Sequence, residues 1–582
     1  MSNPDGVSAR WTRFMHRVHA RRSTRARAAT AFTSTPEPRT IGSFAKGRQL
    51  VAGNYLFAGH LVAAPEADLW SLNETDPVFW QEVHGFAWLD DLAAVGDMAA
   101  REKAQTWLWQ WIATYGRGRG PGWTPELTGR RLIRWINHAI FLLRGRESEQ
   151  SEAFYRSLGQ QTIFLSKRWH TTPAGLPRFE ALTGLIYAGL ALEGMEMHVS
   201  PACKALDKEC KAQVTEQGGI PTRNPEELLE VFTLLTWAAA ALGDKGHDLS
   251  PAHLEAIERI APTLRTLRHA DGGLARFHGG GRGLEGRLDH ALAESQVKTR
   301  QADGLAMGFA RLSAGRTSVI VDASPPPTGP ASINAHASTL AFELTSGRRP
   351  VIVNCGSGSS FGGDWRRAGR ATPSHSTLSL DGFSSARLGE AGRGKGWRNE
   401  ELEDAPVNVP IQMGQAPDGV RFQGGHDGYS QTHGLTHART LELTFDGRGM
   451  VGEDLLVALD DASKRRFDAA FDATSLQGVP YQIRFHLHPE ADAALDMGGT
   501  AVSVALKSGE IWVFRHDGTA NLTLEASVYL EKTRLKPRAT KQVVLSGVAM
   551  EYATRIRWSM AKAQESAVAI RDLNRDELDM TT

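Results

Sequence analysis

Side chains able to move protons or grip anions gather in a few short segments of this chain. GGHDGYSQTHGLTH holds His426, Asp427, Tyr429, His433 and His437. That density offers acid–base chemistry, with Tyr429 as proton donor and His426 setting its protonation. A hairpin loop satisfying its own hydrogen bonds accounts for the same residues. NAHASTLAFEL supplies Asn334 and His336, VIVNCGSG supplies Asn354, and GGDWRRAGRATPSHSTLSLDG supplies Arg366, Arg367, Arg370 and His375. His336 and His375 read either as site residues or as buried histidines tying neighbouring strands together. Arg178, Arg223 and Arg370 suit an acidic ligand, because a planar guanidinium donates two parallel hydrogen bonds to carboxylate or sulfate. Surface solvation is the plainer reading of such arginines. No GxSxG, HExxH or paired CxxC competes for the role of active site.

The 582 residues are 41% hydrophobic and 23% charged, an ordinary globular composition long enough for several cores. Because 66 basic residues nearly cancel 65 acidic ones, no global field draws the chain to nucleic acid, and a polyanion must be recognised locally. Cys203 and Cys210 lie seven positions apart in a predicted helix, roughly 10 Å along its axis and beyond disulfide reach. With Cys355 they form neither a disulfide framework nor a zinc knot. Arg10, Arg13, Arg17, Arg21, Arg22, Arg25 and Arg27 crowd the N-terminus, without the apolar stretch a secretory signal places after its basic region. This arm reads as a solvated, partly helical tail, or as a weak contact for anionic lipid, glycan or RNA. No transmembrane span is expected. The compartment stays open between cytoplasm and periplasm or cell envelope.

The elements that must position these residues change character midway. Residues 1–46 form the basic arm and a linker. From 47 to 300 the periodicity is helical, as in EKAQTWLWQWIATYG, GRRLIRWINHAIFLLRG and PEELLEVFTLLTWAAAALG, each of hairpin-helix length. Stacked antiparallel hairpins make a toroid or bundle. Trp107, Trp109, Trp111, Trp123 and Trp135 fall here, to stack on sugar rings or, more simply, to fill the core. HADGGLARFHGGGRG, His269 to Gly283, is too glycine-rich for a helix and is expected to form a mobile loop over a cleft. Its GGG lacks the setting and lysine of a phosphate loop. From 301 to 565, alternating runs joined by Gly-containing turns predict an antiparallel β-sandwich, with a tail over 566–582. The fold class is therefore α+β and multidomain.

The segments from Asn334 to Gly382, in this order and followed by GGHDGY and LTHARTLEL, resemble the C-terminal region of the heparinase II/III-like polysaccharide lyases. PGWTPELTGRRLIRWINH and GGIPTRNPEELLEV resemble landmarks of that family's helical domain. The resemblance implies an (α/α) toroid facing a sandwich across a cleft, and β-elimination on an acidic, uronate-containing polysaccharide or oligosaccharide. Such chemistry removes a proton beside a carboxylate, whose growing charge must be neutralised, and protonates the leaving oxygen. Carried over, the family's Asn-His pair falls on Arg178 and Phe179, its tyrosine on Glu227, and its two sandwich histidines on Asn334 and His336. The implied site comprises His336, Asn224, Glu227, Tyr429 and His426 for catalysis, with Arg178, Arg223, Asn334 and Arg370 holding substrate. Glu227 could replace the tyrosine only with a raised pKa, and Asn224 before Pro225 is equally a helix cap. The resemblance requires no cofactor but allows a structural zinc on His336, Asn354 and His375, where an amide replaces the usual acid. The alternative implied function is a non-catalytic glycan-binding or cell-envelope protein retaining the lyase fold.

Overall fold

The structure is a computed structural model and describes residues 7–26, 29–33, 38–299, 304–389, 400–532 and 534–563. The expected tail at 566–582 lies outside the described residues.

Helices fill the chain as far as Glu294, and their starts follow from local chemistry. Asp97 caps Met98–Tyr115 by accepting from the Ala100 N–H. Ser250 caps Pro251–Thr266, and Asn224 caps Pro225–Asp244, each ahead of a proline that needs no donor partner at the first helical position. Packed as successive hairpins, these helices bury Trp88, Trp107, Trp111, Trp123 and Trp135 in one core. Trp109 is partly buried against that core. The tryptophans are therefore packing residues. A small hairpin, Asn54–Phe57 with His60–Ala63, is the one strand pair of the described helical half.

The basic arm departs from its expected character. Val7–Ser23 is a helix whose face of His16, Ala20 and Ser23 is buried. Arg168 Nε lies 3.2 Å from His16 Nδ1 in the Ser148–Arg168 helix beneath it. Further on, the Thr33 N–H donates to Ala191 O, and Arg39 pairs with Asp244 and Glu294. The segment is laid onto the helical domain rather than left in solvent.

The strands of the sandwich begin at Phe309, and most of them form two eight-stranded antiparallel sheets. One carries Gly419–Tyr429, Leu435–Thr444, Gly449–Val457 and Ala553–Lys562 as neighbours. The other carries Thr317–Asp322, Phe342–Ser346, Arg349–Val353 and Val479–Leu487. Leu435–Thr444 alternates buried and half-buried along its length, the signature of a strand with one face on a core. Phe342 of one sheet stacks on Trp558 of the other at 5.8 Å, so the inner faces interdigitate.

Candidate functional site

The turn before the Pro225–Asp244 helix is where the helical domain meets the sandwich. Arg223 takes a left-handed backbone, φ 49°. Its guanidinium donates to the carbonyls of Met307, Gly308, Ser324 and Pro325 and to Asp322 Oδ1 at 2.5 Å, while lying 4.7 Å above the Phe309 ring. Asp322, at the end of a sandwich strand, is fully buried. Its second oxygen accepts from Ser338 at 2.7 Å and lies 3.3 Å from His278 Nε2, off the line of a hydrogen bond. Burial alone would raise this carboxyl, but Arg223 and then His278 and Ser338 hold it far below the carboxylate range.

His278 also has a left-handed backbone, φ 48°. It belongs to the glycine-rich segment expected to be mobile, which is instead a packed strap between the domains. Leu274, Ala275, Arg276, Phe277 and His278 are buried. Arg276 sends its guanidinium to the carbonyls of Asn354, Cys355 and Leu530, and its backbone N–H to Glu343. The glycines that suggested looseness serve close approach: a Cβ on Gly280 would lie 2.5 Å from Asn224 Oδ1, and one on Gly356 would strike the Arg276 guanidinium. The Gly281 N–H donates to Glu226, which is also paired with Lys532 of the sandwich.

His336 joins this cluster through the strap. Its backbone N–H donates to His278 Nδ1 at 3.2 Å, and its Nδ1 stands 2.9 Å from His375 Nε2. His375 Nδ1 is 2.9 Å from the Ala371 carbonyl, so the proton there lies on Nδ1 and Nε2 accepts from His336. Burial, chiefly, keeps both imidazoles neutral: His336 falls well below its usual value and His375 to about 3. The pair ties neighbouring segments of the sandwich, the plainer of the two readings its sequence allowed.

The other candidates divide by burial. Asn224 approaches the strap, but its side-chain oxygen caps the helix through the Glu226 and Glu227 N–H groups. Glu227 is half-buried, and desolvation raises its carboxyl to about 7. Asn334 is exposed, beside Gly279. Four expected roles need correction. Arg223 is a clamp between domains with its donors engaged. Arg370 is buried and donates to the carbonyls of Ala335, Glu400 and Ser332, so it cannot hold substrate. Tyr429 lies in the sandwich core with its hydroxyl donating to the Leu378 carbonyl, which removes it as a proton donor to any ligand. His426 is buried beside it, accepting from the Gly428 N–H and linked to His437 at 3.1 Å. Besides these four, Arg178 pairs with Glu209 and donates to the Thr172 carbonyl within the helical domain.

A zinc does not fit the expected ligands. His336 and His375 are bonded to each other, and Asn354 Oδ1 accepts from the Ser376 N–H. Among the described residues no group of three or more His, Cys, Asp or Glu side chains is disposed to hold a metal ion.

Comparison with known proteins agrees with this architecture. Residues 296–559 match the sequence profile described as heparinase II/III-like, C-terminal. Over 543 residues the chain is 30% identical to FtsZ-localized protein C of Caulobacter vibrioides (strain NA1000 / CB15N), covering 91% of this chain and 89% of that one. The chain belongs to the heparinase II/III-like family. Within the family, a crystal structure of heparinase III superposes with a TM-score of 0.65 at 12% identity, covering 96% of this chain and 92% of that one. The heparan sulfate lyase HepC mutant from Pedobacter heparinus gives 0.56 at 13% identity, over 97% and 92%. Such identities establish the toroid-plus-sandwich fold alone.

Sequence reasoning missed His278, Asp322, Ser338 and Arg276. Only the strap carried a signal: Leu274, Ala275 and Phe277 place apolar side chains within an otherwise glycine-rich, polar run. Asp322 ends an apolar strand and offers no motif; its partners are distant in sequence.

Proposed function

We propose that this member of the family is a non-catalytic cell-envelope protein that keeps the lyase fold and is placed with FtsZ, as the name of its relative describes that relative. One observation carries the loss of catalysis: the expected cation at the domain junction, Arg223, and the expected proton donor in the sandwich, Tyr429, are both engaged inside the protein. β-Elimination needs charge neutralised as the C–H bond breaks and the C–O bond leaves. A guanidinium gripping four carbonyls and a buried carboxylate is not free to supply this.

A second reading, cleavage of an acidic glycan, is favoured by Glu227. A half-buried carboxyl raised to about 7 is tuned for proton transfer near neutrality. Incubation with a panel of uronate-containing glycans, followed by the ultraviolet absorbance of an unsaturated product, separates the two. The expected result is no absorbance above the blank, together with co-sedimentation of the chain with FtsZ polymers. Absorbance that vanishes in Glu227→Gln would establish the lyase instead.

A further inference from the structure

The N-terminal helix carries a second face that the fold does not use. Val7, Trp11, Phe14 and Val18 follow the spacing of a single helical stripe, and His16, Ala20 and Ser23, the buried residues, lie on the opposite side. Val7 is 86% exposed, Trp11 62% and Phe14 52%, with the two aromatic rings 5.6 Å apart. A soluble domain ordinarily turns such residues inward, and this helix had a core-facing side available.

Arginine lines the stripe. Arg10, Arg17 and Arg21 share the row on one flank and Arg22 stands on the other, all exposed, while the helix contains no acidic residue. The charge is segregated there. Residues 1–27 hold seven arginines and one acidic side chain, leaving 59 basic against 64 acidic groups in the other 555 residues. Other exposed apolar side chains lack this setting: Leu459, for example, precedes Asp460 and Asp461.

We propose that the outward face of the Val7–Ser23 helix is a docking surface for an anionic lipid bilayer, on which the helix lies parallel to the membrane. Charge complementarity selects the occupant. Tryptophan and phenylalanine enter the boundary between headgroups and acyl chains, where an indole has an apolar body and a polar edge. Arginines on the flanks reach up to lipid phosphates, keeping their stems in the apolar layer. No described helix is long and apolar enough to cross a membrane, so the contact is interfacial. The face opposite is fixed to the helical domain through His16 and Arg168, so membrane binding would orient the whole body. RNA is the competing polyanion, but it would use aromatics as separate stacking platforms and gains nothing from Val7 and Val18 continuing the stripe.

Sedimentation of the full-length protein with vesicles tests this. With equal parts phosphatidylglycerol and phosphatidylcholine, the protein is expected to pellet, at least tenfold more than with phosphatidylcholine alone, and less as salt rises. The double variant Trp11→Ala, Phe14→Ala and the triple variant Arg10→Gln, Arg17→Gln, Arg21→Gln should each lose at least tenfold in binding. Because these side chains face solvent, the melting temperature should hold, which separates lost binding from lost fold. Equal binding to neutral vesicles, no binding to anionic ones, or undiminished binding by the aromatic variant overturns the proposal. So does single-stranded polyuridine displacing the protein fully from vesicles while binding is indifferent to Trp11 and Phe14, which would assign the arginines to RNA.

Discussion

Two buried histidine–aspartate networks invite comparison, since each sets an imidazole against a carboxylate out of solvent and the structure uses them differently. In the sandwich, His426 leads to His437, whose Nε2 stands 2.7 Å from Asp454 Oδ1. Arg439 grips both oxygens of Asp454 and reaches the carbonyls of Leu340 and Ser376 in the opposing layer, while Trp558 donates to Oδ2. At the junction, Asp322 is held by Arg223 from the helical domain, by His278 from the strap and by Ser338 from the sandwich itself. The first network fastens sheet to sheet inside one domain, and the second fastens domain to domain. A carboxylate ringed by donors thus marks a mechanical joint as readily as a site, and burial with saturated partners tells which.

Removing the sandwich carboxylate is expected to have the largest effect. Asp454→Ala leaves Arg439 buried and unpaired, and breaking a buried pair in this way costs about 3–5 kcal/mol. Urea denaturation should show that loss, with the strand and helix signals moving together. Arg223→Met is the matching change at the junction. Its side chain is 11% exposed, and Asp322 retains His278 and Ser338, so a smaller loss of about 2–3 kcal/mol is expected. The distinguishing readout is cooperativity: calorimetry of Arg223→Met should resolve separate transitions for the helical and sheet domains, and Asp454→Ala should not. A single transition in both would erase the contrast between joint and brace.

The fold was legible because it rests on periodicity. Helical repeats to about Glu294 and two-residue alternation after Phe309 each report one buried face per element, and local sequence contains that information. The site was only partly so. His336 and His375 could be named from motifs, and Asn224 could be read as a cap because Pro225 follows it. Tyr429 and Arg370 could not be judged, because nothing local distinguishes a reachable hydroxyl or guanidinium from one enclosed by strands distant in sequence. Asp322 and Arg223, 99 positions apart, meet only through the tertiary fold. The strap failed for a different reason: glycine was read as freedom, whereas here it makes room for Asn224 and Arg276.

That last point supplies the finest test of the comparison. If the junction is a packed joint, the strap cannot lift from the Asn224 turn without cost. A Cβ at residue 280 would sit 2.5 Å from Asn224 Oδ1, the oxygen that caps Pro225–Asp244. Gly280→Ala should therefore displace the cap and destabilise by about 1 kcal/mol, the usual worth of such a cap. Asn224→Ala should cost about the same, again the loss of one cap. Because both act on one contact, the double variant should cost little more than either single change, and a double-mutant cycle by urea denaturation reads that coupling. Full additivity would mean that strap and turn move independently, leaving the junction open to a ligand and returning Asn224 to candidacy for catalysis beside Glu227.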